Sequence, residues 1–255
     1  MIFLSKHGQD SFINMFAQGH GYVPVDTDDF VYESSTEPVV LRGILKYKLM
    51  QQCLRDRRDF YYMDTGYFGN SRWKEWHRVV KNDLQHSEII PRPADRWQQL
   101  GIKIKPWQRS GRNILLALPD EKPCRYYGID RQQWLEQTVA TIKQHTDRPV
   151  VIRERAPRRE DRVADSFQDA LQRDVFAVVT FNSIAAVESV LSGIPAFTLS
   201  PTHAAAPVTL QDLSKIETPL YADSDLMHSW ACHLAYGQVH VSELKAGTAM
   251  KIIQS

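Results

Sequence analysis

The sequence predicts an α/β chain with parallel sheets, and three observations predict it. Short apolar runs of strand length recur from residue 113 onward: Asn113–Leu118, Pro149–Ile152, Val175–Thr180 and Ala196–Leu199. Between them lie segments whose apolar residues recur at helical spacing, such as Leu135, Val139 and Ile142. Helix punctuation falls where that alternation requires it, with Asp130 at an N-cap position, Gln133 three residues on as in a capping box, and Gly193 as a helix stop. Strands that alternate with helices in this way form right-handed βαβ units, covered on both faces.

The first part of the chain, residues 1–110, is rich in aromatics and broken by turns. Its strand candidates are Met1–Leu4, Asp29–Tyr32 and Phe60–Met63, and a helix is expected over Gly43–Arg55. Prolines and basic residues mix from Glu88 to Gly111, which reads as a connection holding one short helix. The second part, 111–230, carries the alternation, with further helices around Val163, Phe167 and Leu171 and over Ile184–Ser192. Residues 231–255 form a tail expected to pack back on the first part.

Composition narrows the function. At 43% hydrophobic and 24% charged residues the chain is an ordinary globular protein, not a disordered one. With 31 basic and 30 acidic side chains, any attraction to phosphate must be local. Cys53, Cys124 and Cys232 are far apart and fit neither a disulfide framework nor a zinc site, so a reducing cytoplasm is expected. The opening apolar run ends at Ser5, too short for a signal peptide, and no stretch is apolar enough to span a membrane.

The segment from Val178 to Pro195 is the most informative. A buried-type strand ends at Thr180, and the polar pair Asn182-Ser183 then stands at a helix N-cap position, followed by the small residues Ala185 and Ala186. A helix start with small side chains suits a phosphate, because it presents unpaired N–H groups and a partial positive charge. Glu188 shares a helix face with Ile184 and Leu191, where a carboxylate needs a partner such as ribose hydroxyls. The plainer reading leaves Asn182 and Ser183 as a cap and Glu188 toward solvent.

The pattern T-x-N-S-x-x-x-x-E-x-x-x-x-G-I-P over residues 180–195 resembles the donor-site helix of glycosyltransferases with two Rossmann-like lobes, the GT-B type. It is especially similar to capsule-polysaccharide and Kdo-transferase-like groups, and it is shared by sugar-nucleotide epimerases. The resemblance covers roughly residues 111–250. It includes Val150–Pro157, similar to a strand ending in a basic residue near the donor pyrophosphate, and the stretches Trp230–Gln238 and Ser242–Gly247, similar to the tail of bacterial and phage enzymes. It implies a compact GT-B fold, a nucleotide-sugar co-substrate read as a UDP-sugar, Asn182 and Ser183 facing phosphate, and Glu188 on the ribose.

Other residues complete the expected site. Arg153, at a strand end, either meets phosphate or joins the solvated run of Arg155, Arg158, Arg159 and Arg162. His203, in a loop of small residues, is a donor-contact candidate. Asp64, before a glycine turn, is either a turn residue or the base that deprotonates an acceptor hydroxyl. His77 is a weaker catalytic candidate, alongside His7 and His20.

No DxD, HExxH or His/Cys cluster is present, so no metal and no cofactor beyond the donor is expected, and the pair Asp28-Asp29 reads as a turn. The expected activity is transfer of a sugar to a hydroxyl. A hydroxymethylated base in duplex phage DNA is the favoured acceptor, contacted by Arg92, Arg96, Lys103, Lys105, Trp107, Arg109 and Arg112. The alternatives are a cell-surface saccharide acceptor, a sugar-nucleotide epimerase and a non-catalytic nucleotide-binding module.

Overall fold

A computed structural model describes residues 1–33, 35–70, 74–154 and 166–255. In chain order the elements are β1 (Ile2–Ser5), α1 (Ser11–Gly19), β2 (Val25–Asp26), β3 (Val39–Arg42), α2 (Tyr47–Arg55), β4 (Phe60–Thr65), β5 (Trp76–Lys81), α3 (Asp95–Leu100), β6 (Asn113–Ala117), α4 (Glu121–Tyr127), α5 (Arg131–His145), β7 (Val150–Arg153), α6 (Phe167–Leu171), β8 (Val175–Thr180), α7 (Ala185–Leu191), β9 (Ala196–Thr198), α8 (Ser224–Tyr236), β10 (Gln238–His240), α9 (Val241–Lys245) and α10 (Ala249–Gln254). They divide into two compact units. Unit 1 comprises residues 1–86, 91–100 and 232–255, and unit 2 comprises 87–90 and 101–231.

Unit 1 is built on a six-stranded sheet in the order β10-β5-β4-β3-β1-β2. The neighbours β2, β1, β3 and β4 run parallel, whereas β5 pairs antiparallel with both β4 and β10, so this sheet is mixed rather than parallel throughout. Its core sets Phe3, Val40, Tyr61, Met63, Val79 and Val239 against Ile13, Phe16 and Ala17 of α1 and Leu244 of α9. Helix α1 has a sequence cause that the prediction missed, because the Asp10 carboxylate accepts from the N–H groups of Phe12 and Ile13. α9 approaches α1 closely at two glycines. A Cβ on Gly19 would lie 2.0 Å from the Leu244 carbonyl oxygen, and one on Gly247 would lie 2.1 Å from that of Gly19.

The strand expected over Asp29–Tyr32 does not form. Phe30 and Tyr32 instead lie against the Arg58 guanidinium, at 6.0 and 5.2 Å, and the Tyr32 hydroxyl donates to Asp56. The aromatic pattern that looked like a strand therefore serves a cation–π contact. β2 and β3 flank this stretch. The helix expected from Gly43 begins later, since Gly43 has φ +72°, a short 3-10 turn follows and α2 starts at Tyr47.

Unit 2 carries a four-stranded parallel sheet in the order β7-β6-β8-β9. All four expected strands are present. Asp130 caps α5 by accepting from the Gln133 N–H at 2.7 Å. Gly193 adopts φ +78° after α7, and its backbone approaches that of Pro106 so closely that a Cβ would stand 2.1 Å from the Pro106 carbonyl oxygen. Phe167 and Leu171 lie on α6. Val163 and the run Arg155, Arg158, Arg159 and Arg162 lie outside the described residues.

Candidate functional site

The order of unit 2's sheet fixes where a ligand would sit. The chain passes from β6 to its neighbour β7 on one side, then crosses to β8 on the other. The topological switch therefore falls between β6 and β8, and open α/β sheets bind ligands beyond the carboxyl ends of the strands at such a switch. Ala117, Arg153 and Thr180 end their strands in register there, and Thr198 ends β9 beside Thr180.

Local hydrogen bonds hold these ends in shape. The Thr180 hydroxyl donates to the Ala117 carbonyl oxygen at 3.1 Å and accepts from the Ser183 N–H at 3.4 Å. The Ser183 hydroxyl accepts from the Ala185 N–H at 3.3 Å, and its carbonyl oxygen accepts from the Ala186 N–H at 3.2 Å. Ser183 therefore serves α7 internally, which leaves fewer bare N–H groups at this helix start than the sequence implied. Asn182 is buried and Ser183 half-buried. Glu188 is the half-buried position of an otherwise buried helix, and its carboxylate accepts from the Gln168 side chain of α6 at 3.4 Å.

His203 is fully buried. Its Nδ1 accepts from the Ala205 N–H at 2.9 Å, and its Nε2 lies 3.0 Å from the Ser183 carbonyl oxygen. Nε2 must therefore carry the proton. Both ring nitrogens serve backbone groups, and His203 fastens the loop after β9 to the loop after β8. Arg153 is half-buried at the end of β7, its guanidinium over the Phe167 ring at 5.5 Å.

In unit 1 the two expected catalytic residues are not brought together. Asp64 pairs across β4–β5 with Arg78, and Thr65 pairs with His77. Side chains alternate along a strand, so Asp64 and His77 point to opposite faces. Asp64 accepts from the Tyr62 hydroxyl at 2.6 Å, the Thr65 N–H at 2.7 Å and Arg78 Nη2 at 3.4 Å. Burial pushes its carboxyl up. The Arg78 charge and the Tyr62 and Thr65 hydrogen bonds outweigh burial and hold it below the usual aspartate value. Tyr62 and Arg78 were missed in the sequence, although the two-residue spacing of Tyr62 and Asp64 on a strand was their signal.

His77 is fully buried, its ring 4.1 Å from that of Phe12, and neither ring nitrogen has a hydrogen-bond partner among the described residues. Burial, then the Arg42 charge, lowers its pKa to about 4. His77 is thus a neutral core imidazole at pH 7. His20 also serves structure, its Nδ1 3.0 Å from the Phe16 carbonyl oxygen.

His7, Asp26 and Asp28 bring potential ligand atoms within 4.8 Å of one another. Asp28 is already paired with His7 and Lys46, and the Asp29 N–H closes a turn on the Asp26 carbonyl oxygen at 3.2 Å. Three of the linker cations are similarly engaged. Arg96 binds Glu243 at 2.6 Å and the carbonyl oxygens of Ala235 and Gln238, and Arg92 lies over Tyr236. Trp107 donates to Ala222, and Arg109 lies 4.4 Å from the Tyr221 ring centre. No helix of the described residues is long and apolar enough to cross a membrane.

No protein-family model matches the chain, and no curated protein matches it. Among solved structures it is similar to the KpsC beta Kdo 2,4 transferase of Thermosulfurimonas dismutans, with a TM-score of 0.50 at 11% identity, over 87% of this chain and 85% of that one. The KpsC beta Kdo 2,7 transferase of the same organism aligns over 84% of this chain and 85% of that one at 11% identity, with a TM-score of 0.42. The likeness to the first is one of fold: this chain has a Rossmann-like, GT-B-like α/β fold.

Proposed function

We propose that the chain is a nucleotide-sugar glycosyltransferase that binds its donor at the carboxyl edge of the unit 2 sheet. What supports this reading is that Arg153 ends β7, and Asn182 and Ser183 follow β8, at the same carboxyl edge of the sheet, in a chain with a GT-B-like fold. Arg153 and the Ser183 hydroxyl face the donor phosphates and offset the charge that develops on the leaving group. Glu188 takes the ribose hydroxyls in place of Gln168, and His203 holds the two loops in register. The donor nucleotide in this reading is UDP.

In unit 1, Asp64 is the acceptor-side carboxylate. It stays charged at neutral pH, so it can accept a proton from an acceptor hydroxyl. The acceptor is a saccharide hydroxyl. A base in duplex DNA has less support, because Arg96, Trp107 and Arg109, named for backbone contact, are committed within their own units.

The test is incubation with UDP- and CMP-sugars, with and without saccharide acceptors. Acceptor-dependent release of a nucleoside phosphate is expected. Conversion of the sugar nucleotide without any acceptor would make the chain an epimerase, and binding without turnover would make it a non-catalytic module.

A further inference from the structure

A ladder of aromatic rings rises beside the donor edge of unit 2. Phe181, directly before Asn182 and Ser183, is buried. The Tyr127 ring meets it edge-on at 5.2 Å and 87°, and the Tyr126 ring meets Tyr127 at 4.9 Å and 87°. Both tyrosines are half-buried, so the ladder leads from the core outward.

Its geometry is fixed from three sides. Tyr126 and Tyr127 occupy the last turn of α4, which Gly128 ends at φ +68° while the Ile129 N–H returns to the Cys124 carbonyl oxygen. Successive helical residues diverge by about 100°, which accounts for the perpendicular rings. The Tyr127 hydroxyl lies 3.1 Å from Thr202 Oγ1, tying α4 to the loop after β9.

Resting on the donor reading above, we infer that Tyr126 is the stacking surface for the nucleobase of the donor. The ladder starts at the residue preceding the phosphate-side pair and reaches, through two ring contacts, the half-buried Tyr126 ring. A nucleotide likewise places a flat base one ribose from its phosphate. Tyr127 is the positioning residue, since it touches Phe181, Thr202 and Tyr126 together.

The experiment is calorimetric titration of the full chain with UMP, CMP, AMP, GMP and inorganic pyrophosphate, for wild type, Tyr126→Phe and Tyr126→Ala. The preferred nucleotide should bind Tyr126→Ala about tenfold more weakly, as loss of one base–aromatic stack predicts. Tyr126→Phe should bind it like wild type, and pyrophosphate affinity should not change. Should Tyr126→Ala melt early, Tyr126→Leu keeps the apolar volume without the π face and must show the same loss. Equal nucleotide affinity in wild type and Tyr126→Ala would overturn the inference, as would equal weakening of pyrophosphate. If no nucleotide binds wild type, the donor reading itself fails and the platform falls with it.

Discussion

Tyr62 and Asp64 stand two residues apart on β4, and the phenol donates to the carboxylate at 2.6 Å. The spacing puts both on one face of the sheet, where Arg78 of β5 meets them from the opposite strand. A carboxylate with these partners is held in one orientation and kept ionised.

Replacing Tyr62 with Phe removes that hydrogen bond and little volume. The fold should lose about 1 kcal/mol at pH 7, as for a half-buried hydrogen bond to a charged group screened in part by solvent. A depressed carboxyl pKa stabilises the fold above the ordinary value near 4 and is lost as pH falls below it. The Tyr62→Phe deficit should therefore shrink toward pH 3. Urea unfolding at both pH values measures it, and an equal deficit at both would contradict the pairing.

His77 predicts a second pH effect, of different origin. Its pKa falls from 6.5 to about 4 on folding. The unfolded chain takes up the proton first, so stability is full above about pH 7 and declines as pH falls from 6.5 toward 4. A shift of this size corresponds to about 3 kcal/mol. His86, lowered to about 3 chiefly by burial, acts in the same direction. Urea titrations between pH 7 and 4.5 should show a shallower pH slope for His77→Leu than for wild type. An unchanged slope would show that His77 is not buried neutral.

Gly193→Ala tests the close approach behind α7. The residue would need a left-handed conformation and place its Cβ 2.1 Å from the Pro106 carbonyl oxygen. A loss of more than about 2 kcal/mol is expected, beyond the usual penalty for a strained φ. Thermal melting measures it, and a melting temperature within a degree of wild type would refute the contact.

His203→Ala leaves the Ser183 carbonyl and the Ala205 N–H without their buried partner. It should cost about 2–3 kcal/mol of stability. The same variant should weaken donor binding although His203 need not touch the donor, because the loops after β8 and β9 lose their tie. Donor affinity equal to wild type in a destabilised variant would confine His203 to stability.

The inner strands of unit 2 were legible because a strand buried on both faces of a parallel sheet demands an uninterrupted apolar run, as in Val175–Thr180. Unit 1 was harder to read. β5, Trp76–Lys81, mixes buried His77 and Arg78 with valines, and no periodicity distinguishes an Arg bound to Asp64 and carbonyl oxygens from a surface Arg. Phe30 and Tyr32 imitated a strand because a cation–π contact also selects aromatics. At the candidate site, residue types were readable and their partners were not. Nothing in the spacing of His203 and Ser183, twenty residues apart, signals that one ring spans two loops.

The claim that unit 2 binds a nucleotide sugar through Arg153, Ser183 and Glu188 is tested most directly by ligand-induced thermal stabilisation. Wild type, Arg153→Ala and Glu188→Ala are melted with and without millimolar nucleotide sugars. A ligand at a hundredfold excess over its Kd adds about 2.7 kcal/mol, a rise of several degrees for wild type. Both variants should lose most of that rise, and Glu188→Ala should also lose discrimination between ribose and 2′-deoxyribose nucleotides. Wild-type melting unmoved by every nucleotide sugar, or variants stabilised as much as wild type, would contradict the account.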